Sequence, residues 1–337
     1  MQRWLCTCCF LALFCHIIPS NSFNFQVVQD LTYLNSTGGI STSATYALPE
    51  LAIFTNSSGE IFVLGGLSSL TPFQVFSRTL NEYVYYSLVA LGSVFLGTNE
   101  SHLIHVELRN ANITELDVSN IIPAGGFGGG CIPAEGKFAQ MAFLTGLQNA
   151  VAIDLTSFTI AASATIDTSL TSLLDVACTS DMLYFSGTTA TDGYVYKVSP
   201  IDLSVIAKVE LTGQYWPFGI NAVPQQNIVD VFASHYITQL DSDTLQVTAT
   251  QQIPDVLLSE MMCFSVSRKM AFLIASSSES TELRAYDIVT GVQVGTVSLN
   301  ATATEAHSCA VDENSDMIFV GHANLNNDAT ISVVSIN

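Results

Sequence analysis

The stretch 261–299, MMCFSVSRKMAFLIASSSESTELRAYDIVTGVQVGTVSL, decides the fold. Met261–Val266 reads as one short strand and Arg268-Lys269 as a tight turn. Met270–Ala275 reads as a second strand, polar Ser276–Thr281 as a connection, and Leu283–Ile288 as a third strand. Thr290-Gly291 then turns into a fourth, Val292–Leu299. Apolar runs alternating with turn residues at these intervals are the pattern of short antiparallel strands. Four of them in about 40 residues make a unit the size of a propeller blade.

The second strand of that unit, an apolar run ending on a small residue, recurs along the chain. Copies stand at Ile61–Gly65, Val94–Gly97, Ala142–Gly146, Leu183–Gly187, Val229–Ala233, Ala271–Ala275 and Ile318–Gly321. Their terminal residues are separated by 32, 49, 41, 46, 42 and 46 positions. This predicts an all-β chain, a seven-bladed β-propeller of four-stranded antiparallel blades, as a single domain over residues 23–337. Near-equivalent endings at Ile153–Thr156, Leu240–Thr244 and Tyr286–Thr290 place an Asp where its carboxylate can bond backbone two residues on and fix a turn. The last copy ends at Thr330–Asn337, its third strand, whereas a spare apolar segment, Phe23–Leu31, precedes a first copy that starts near Tyr46. If the two pair, the N-terminal strand completes the last blade, closes the ring and removes an exposed edge.

The segments "EIFVLGG", "SVFLGTN", "MLYFSGT" and "MIFVGHAN", with "VAIDLTSFTI" and "RAYDIVTGVQV", resemble the repeats of YVTN-type and quinoprotein-like seven-bladed propellers. The resemblance covers nearly all of residues 23–337 and implies a blade architecture. It carries no catalytic residue, because these motifs build blades. A propeller is a scaffold for unrelated functions, so activity must be argued from sites.

Residues 1–22 read as a signal peptide. Arg3 supplies the charge, Trp4–Ile18 the apolar stretch, and Ser20 and Ser22 the small residues before a cleavage after Ser22. The stretch is short for a membrane span, and no comparable run follows it. Cys6, Cys8, Cys9 and Cys15 leave with it; retention as an anchor is the alternative. Asn35, Asn56, Asn99, Asn112 and Asn300 each open a glycosylation sequon. The expectation is a secreted glycoprotein. The whole chain carries 9 basic and 29 acidic residues, a formal charge of −20, and loss of Arg3 takes this to −21. Such a surface repels phosphate backbones and anionic membranes, which argues against nucleic-acid partners and membrane insertion.

Cys131, Cys178, Cys263 and Cys309 all fall on predicted innermost strands. The spacings of 47 and 46 residues are one blade each, so each pair belongs to neighbouring blades at similar depth. Inner strands crowd the axis within disulfide reach. Disulfides Cys131–Cys178 and Cys263–Cys309 are predicted, each closing a loop worth about 4 kcal/mol in the chain-entropy model. Four buried thiols are the alternative.

Topology places the starts of inner strands and the turns after second strands on one face. Asp175, Tyr215, Trp216, Glu260, Glu305 and His307 fall at such starts, and His235 and His322 after second strands. Together they form a candidate ligand-binding rim, suited to a metal, a sugar or a peptide; the plainer reading is an ordinary polar rim. Asn35, Asn99 and Asn300 map to the same face. Asp312-Glu-Asn314-Ser-Asp316 has calcium-loop oxygen spacing but lacks the Gly and the bidentate Glu of an EF-hand, so turn chemistry accounts for it better. Gly125-Gly-Phe-Gly-Gly-Gly130 lacks a following helix and reads as a flexible connection between blades. His102 and His105, three apart on a strand, point to opposite faces and cannot chelate one ion together.

No nucleophile elbow, H-E-x-x-H or Cys-x-x-Cys is present, so no catalytic residues are assigned and the balance falls against an enzyme. No motif calls for a cofactor, with calcium or zinc left open. The leading reading is a secreted protein- or glycan-binding module whose partner is an extracellular protein or glycan. The alternatives are a metal-dependent lactonase- or hydrolase-like enzyme with its site at the channel mouth, and a self-assembling extracellular component.

Overall fold

The small residues that end the second strands are there because another part of the chain lies against them. A Cβ on Gly97 would fall inside the Tyr86 ring; one on Gly146 would lie 2.5 Å from the Gly126 carbonyl oxygen, and one on Gly187 2.8 Å from Leu170 Cδ1. In each case the obstructing group belongs to the inner strand of the same unit or to the segment leading into it. The recurring pattern in the sequence is therefore a packing requirement between adjacent strands.

The computed structural model describes residues 25–37, 40–46, 51–56, 60–65, 73–80, 82–90, 92–108, 112–233, 235–253, 262–265, 267–276, 281–299, 308–312, 316–323 and 328–336. The N-terminal strand is β1 (Phe25–Thr37). The first sheet then runs β2 (Ile40–Tyr46), β3 (Leu51–Asn56), β4 (Glu60–Gly65) and β5 (Phe73–Thr79). The second is β6 (Val84–Ala90), β7 (Ser93–Thr98), β8 (His102–Glu107) and β9 (Ile113–Asp117). The third is β10 (Phe127–Cys131), β11 (Met141–Gly146), β12 (Asn149–Asp154) and β13 (Thr159–Thr165). The fourth is β14 (Ser172–Cys178), β15 (Leu183–Thr188), β16 (Gly193–Val198) and β17 (Val205–Leu211). The fifth is β18 (Gly219–Val223), β19 (Ile228–Ala233), β20 (Tyr236–Asp241) and β21 (Val247–Gln252). The sixth is β22 (Met262–Ser265), β23 (Met270–Ser276), β24 (Thr281–Asp287) and β25 (Gln293–Leu299). In the last sheet β26 (Ser308–Asp312), β27 (Met317–Ala323) and β28 (Asp328–Ile336) are followed on the outside by β1, with Phe25 opposite Ile336 and Leu31 opposite Ile331.

All pairings are antiparallel, and each first strand packs against the first strands of neighbouring sheets. The fold is thus an all-β propeller of four-stranded antiparallel blades. Its core lies between blades: Phe143, Phe185 and Tyr196 fill the space between the third and fourth sheets. Phe272, Ile318 and Val334 do so between the sixth and last, where Phe25 meets Phe272 edge-on with ring centroids 6.1 Å apart. The lower turns follow the expected chemistry. Asp154 Oδ1 accepts the Thr156 N–H at 2.8 Å, and Asp241 and Asp287 accept from Thr244 and Thr290 at 2.8 Å each. Four positions after each of these Asp residues the backbone turns left-handed, at Phe158 (φ 52°), Leu245 (56°) and Gly291 (68°).

Two sequence expectations are corrected here. Ile61–Gly65 is not a second strand: it lies in β4, the third strand of its sheet, and carries the register shift seen in other third strands. The second strand is Leu51–Asn56, and counting from Thr55 restores a step of 42 residues to Gly97 in place of the short 32. The glycine run is not a loose connection either. Phe127–Cys131 is the inner strand β10, and a Cβ on Gly128 would lie 2.5 Å from the Leu173 carbonyl oxygen and 2.8 Å from that of Leu174. Glycine is needed because β10 and β14 approach at backbone distance.

Both disulfides form as expected, between inner strands of adjacent sheets. Cys131 and Cys178 have Cα atoms 6.0 Å apart, and Cys263 and Cys309 5.6 Å. Asp316 sits in the β26–β27 hairpin turn and pairs with Arg268. Among the described residues no helix is long and apolar enough to cross a membrane.

Candidate functional site

The upper face, where inner strands begin, carries a segment of unusual composition before β18: Thr212-Gly-Gln-Tyr-Trp-Pro-Phe218. Burial should claim its aromatics, yet Tyr215, Trp216 and Phe218 remain 44%, 43% and 38% exposed. Trp216 and Phe218 stack, with ring centroids 5.2 Å apart at 25°. Hydrogen bonds hold the loop in place. Gly213 N–H donates to Asp192 Oδ1 at 2.8 Å, Trp216 N–H to Thr188 Oγ1 at 3.3 Å, and Thr238 Oγ1 donates to Gln214 Oε1 at 2.7 Å. Gly193 has no side chain because the Gln214 carbonyl occupies the place of its Cβ. Trp216 itself has φ 57°, a region costly for a bulky residue and held only where the surroundings dictate it.

The other rim candidates separate. His235 is exposed in the turn after β19. Asp175 lies inside β14 and turns sideways towards the neighbouring sheets: its Oδ2 accepts the Ile220 N–H at 3.2 Å and its Oδ1 the Val176 N–H at 2.8 Å. Burial of the carboxyl raises its pKa to about 7, against the lowering effect of those two bonds. His322 belongs to β27 and is buried, with its Nε2 2.8 Å from Ser332 Oγ. Glu260, Glu305 and His307 fall outside the described residues. Of the sequon asparagines, Asn112 is exposed, whereas Asn99 is partly buried and accepts the Tyr83 N–H at 2.9 Å; Asn300 lies outside the described residues. The side chains of Asn35 and Asn56 are likewise not among those described.

Two groups had no sequence signal. Asp230 on β19 is fully buried; its Oδ1 accepts from Gln239 Nε2 at 3.0 Å, while Oδ2 has no partner among the described residues, and burial raises its pKa to about 6. On the upper edge of the second sheet, His102 Nδ1 lies 3.1 Å from Glu82 Oε1 and 3.4 Å from Glu115 Oε1. Burial opposes charge on this imidazole, but the Glu82 hydrogen bond and the charges of Glu82, Glu115 and Asp117 outweigh it and raise its pKa. His105 faces away, stacked on Phe95 with centroids 4.8 Å apart, as the strand period requires. The partners of His102 are 20 residues before it and 13 after, so only strand pairing brings them together.

Compared with known protein families and with curated proteins, the chain matches no family model and no curated relative.

Proposed function

We propose that this protein is an exported interaction module whose contact surface is the aromatic loop Thr212–Phe218 and the rim around it. The single observation that carries this reading is the exposed Trp216–Phe218 stack, with Tyr215 beside it, on a loop fixed by Asp192, Thr188 and Thr238. Aromatic faces combine apolar area with low ordering cost, and are the residues on which binding energy concentrates. The surrounding hydroxyls and carboxylates suit a glycan or a polar protein surface. Export is supported by the leader-like residues 1–22 and by the two disulfides, which persist in oxidising compartments. N-glycosylation of the sequons belongs to the same proposal.

The scaffold is proposed as a seven-bladed ring of the YVTN-like, quinoprotein-like kind, closed by the N-terminal strand. Seven four-stranded sheets, the β1–β28 pairing and the packing of β26 against β2 support it. The kinship rests on blade motifs alone.

Trp216 is the sole tryptophan beyond position 22, so its fluorescence reports the loop directly. A glycan array and a panel of extracellular-matrix proteins, screened by that signal, should yield a ligand that quenches or shifts it. Trp216→Ala and Tyr215→Ala, read by surface binding, should each weaken that ligand at least about tenfold, the size of an interface hot spot. A ligand bound equally by both variants would overturn the assignment of the loop.

A further inference from the structure

We propose that Glu82, His102 and Glu115 form a binding site for one zinc ion on the upper edge of the second sheet. Each side chain offers one ligand atom, and the three atoms lie within 4.8 Å of one another. Zinc bonds to imidazole nitrogen and carboxylate oxygen are about 2.0–2.2 Å long, so a tetrahedral shell has edges of about 3.3–3.6 Å. The two separations from His102 Nδ1, 3.1 and 3.4 Å, are close to such edges. The remaining carboxylate–carboxylate edge closes by a swing of Glu115, whose side chain is 51% exposed. The imidazole nitrogen favours zinc over calcium, which takes oxygen ligands.

The ligands come from three segments that the fold aligns. Glu82 lies in the approach to β6, His102 opens β8, and Glu115 sits on β9 two residues from Asp117, the direct cross-strand partner of His102. Residues two apart on a strand share a face, so Glu115 and Asp117 both stand beside the imidazole. The Glu82 segment is tied to the β7–β8 turn, since Tyr83 N–H donates to Asn99 Oδ1 and Asn99 N–H to the Tyr83 carbonyl, both at 2.9 Å. Buried Thr98 donates its Oγ1–H to Glu82 Oε2, which orients that carboxylate with Oε1 the nearer oxygen to His102 Nδ1, at 3.1 Å against 3.3 Å for Oε2. Outer partners of this kind fix ligand geometry in zinc sites. Three protein ligands leave a fourth position on the exposed Glu115 side, open to water or to a carboxylate of a bound molecule.

The site is independent of the aromatic loop, so its test stands apart from that of the binding reading. The metal-stripped full chain would be titrated with zinc by calorimetry and with cobalt(II) by visible absorption, which reports nitrogen and oxygen ligation. One ion per chain is expected, with tetrahedral cobalt bands. His102→Ala should remove those bands, and Glu115→Gln should weaken zinc at least about tenfold; because Glu115 is half exposed, its variant keeps the fold, as a thermal melt checks. Thr98→Val should weaken zinc about tenfold through Glu82. Absence of saturable zinc binding in the parent, or binding by His102→Ala and Glu115→Gln equal to the parent's, would overturn the proposal.

Discussion

The two sides of β14 are held to their neighbours in opposite ways. Towards β10 the backbones touch: glycines at 128 and 129 admit the approach, Leu147 and Leu173 form a bridge, and Cys131–Cys178 joins the strands covalently. Towards β18 the strands stand further off, and side chains span the gap. Asp175 reaches the Ile220 N–H, Tyr184 Oη donates to the Ser242 carbonyl at 3.0 Å, and Lys197 approaches Asp243. Below them a polar groove of about 250 Å³ opens between Met182, Tyr184, Pro224 and Asn227. One seam is made by backbone and a covalent bond; the other is spanned by side chains, among them the titrating Asp175. A propeller can therefore vary the chemistry of its seams while keeping one blade plan.

The largest expected effect comes from breaking the covalent seam. The double substitution Cys131→Ser with Cys178→Ser should cost up to about 4 kcal/mol, the loop-closure value for a 47-residue separation, read as a lowered denaturation midpoint. If that midpoint stays put, packing alone holds this seam and the contrast with its neighbour loses its main support. Next, Gly128→Ala pushes a methyl against two carbonyl oxygens of the adjacent strand, and should cost about 3 kcal/mol in the same measurement.

The smallest effect is read by pH, through the carboxylate between the two seams. The Asp175 carboxyl, near 3.9 when unfolded, is raised to about 7 in the fold, so the native state holds a proton that the unfolded chain releases. Its contribution is complete below about pH 4 and is lost as pH rises to about 7. The Asp230 carboxyl, at about 6, acts in the same direction. Stability of the parent should fall by about 2 kcal/mol across this window, a value kept below the full shift because Asp175 is only partly enclosed as a residue. Asp175→Asn should flatten the curve and leave the smaller Asp230 slope; an equally steep curve in that variant would assign the dependence elsewhere.

Gly97, Gly146 and Gly187 made the blade plan legible, because a strand end pressed by a neighbour admits only small residues. The first sheet was harder to phase. Its inner strand, ISTSATY, has no apolar run, so attention falls on Ile61–Gly65 one strand too late. The disulfides were legible because blade spacing fixes both neighbour and depth. Glycines 128–130 were not, since close approach and flexibility demand the same residue. His322 follows an apolar run in sequence yet is still within β27, and its burial there had no signal in the sequence. The aromatic loop could be placed by topology, but its exposure could not. The Glu82–His102–Glu115 group needs register and a pre-strand segment together, and no linear spacing encodes that.

The pairing of β1 with β28 has a consequence for the order of events during synthesis. The strand Phe25–Thr37 finds its hydrogen-bonding partner only when Asp328–Ile336 has emerged, with the other described strands between them. Until then an edge of Phe25–Thr37 stays open, and the last sheet cannot be complete. Contacts so distant in sequence slow folding more than they weaken the folded state. For this molecule the β1 edge that β28 covers is therefore a hazard confined to the interval between the synthesis of those two strands.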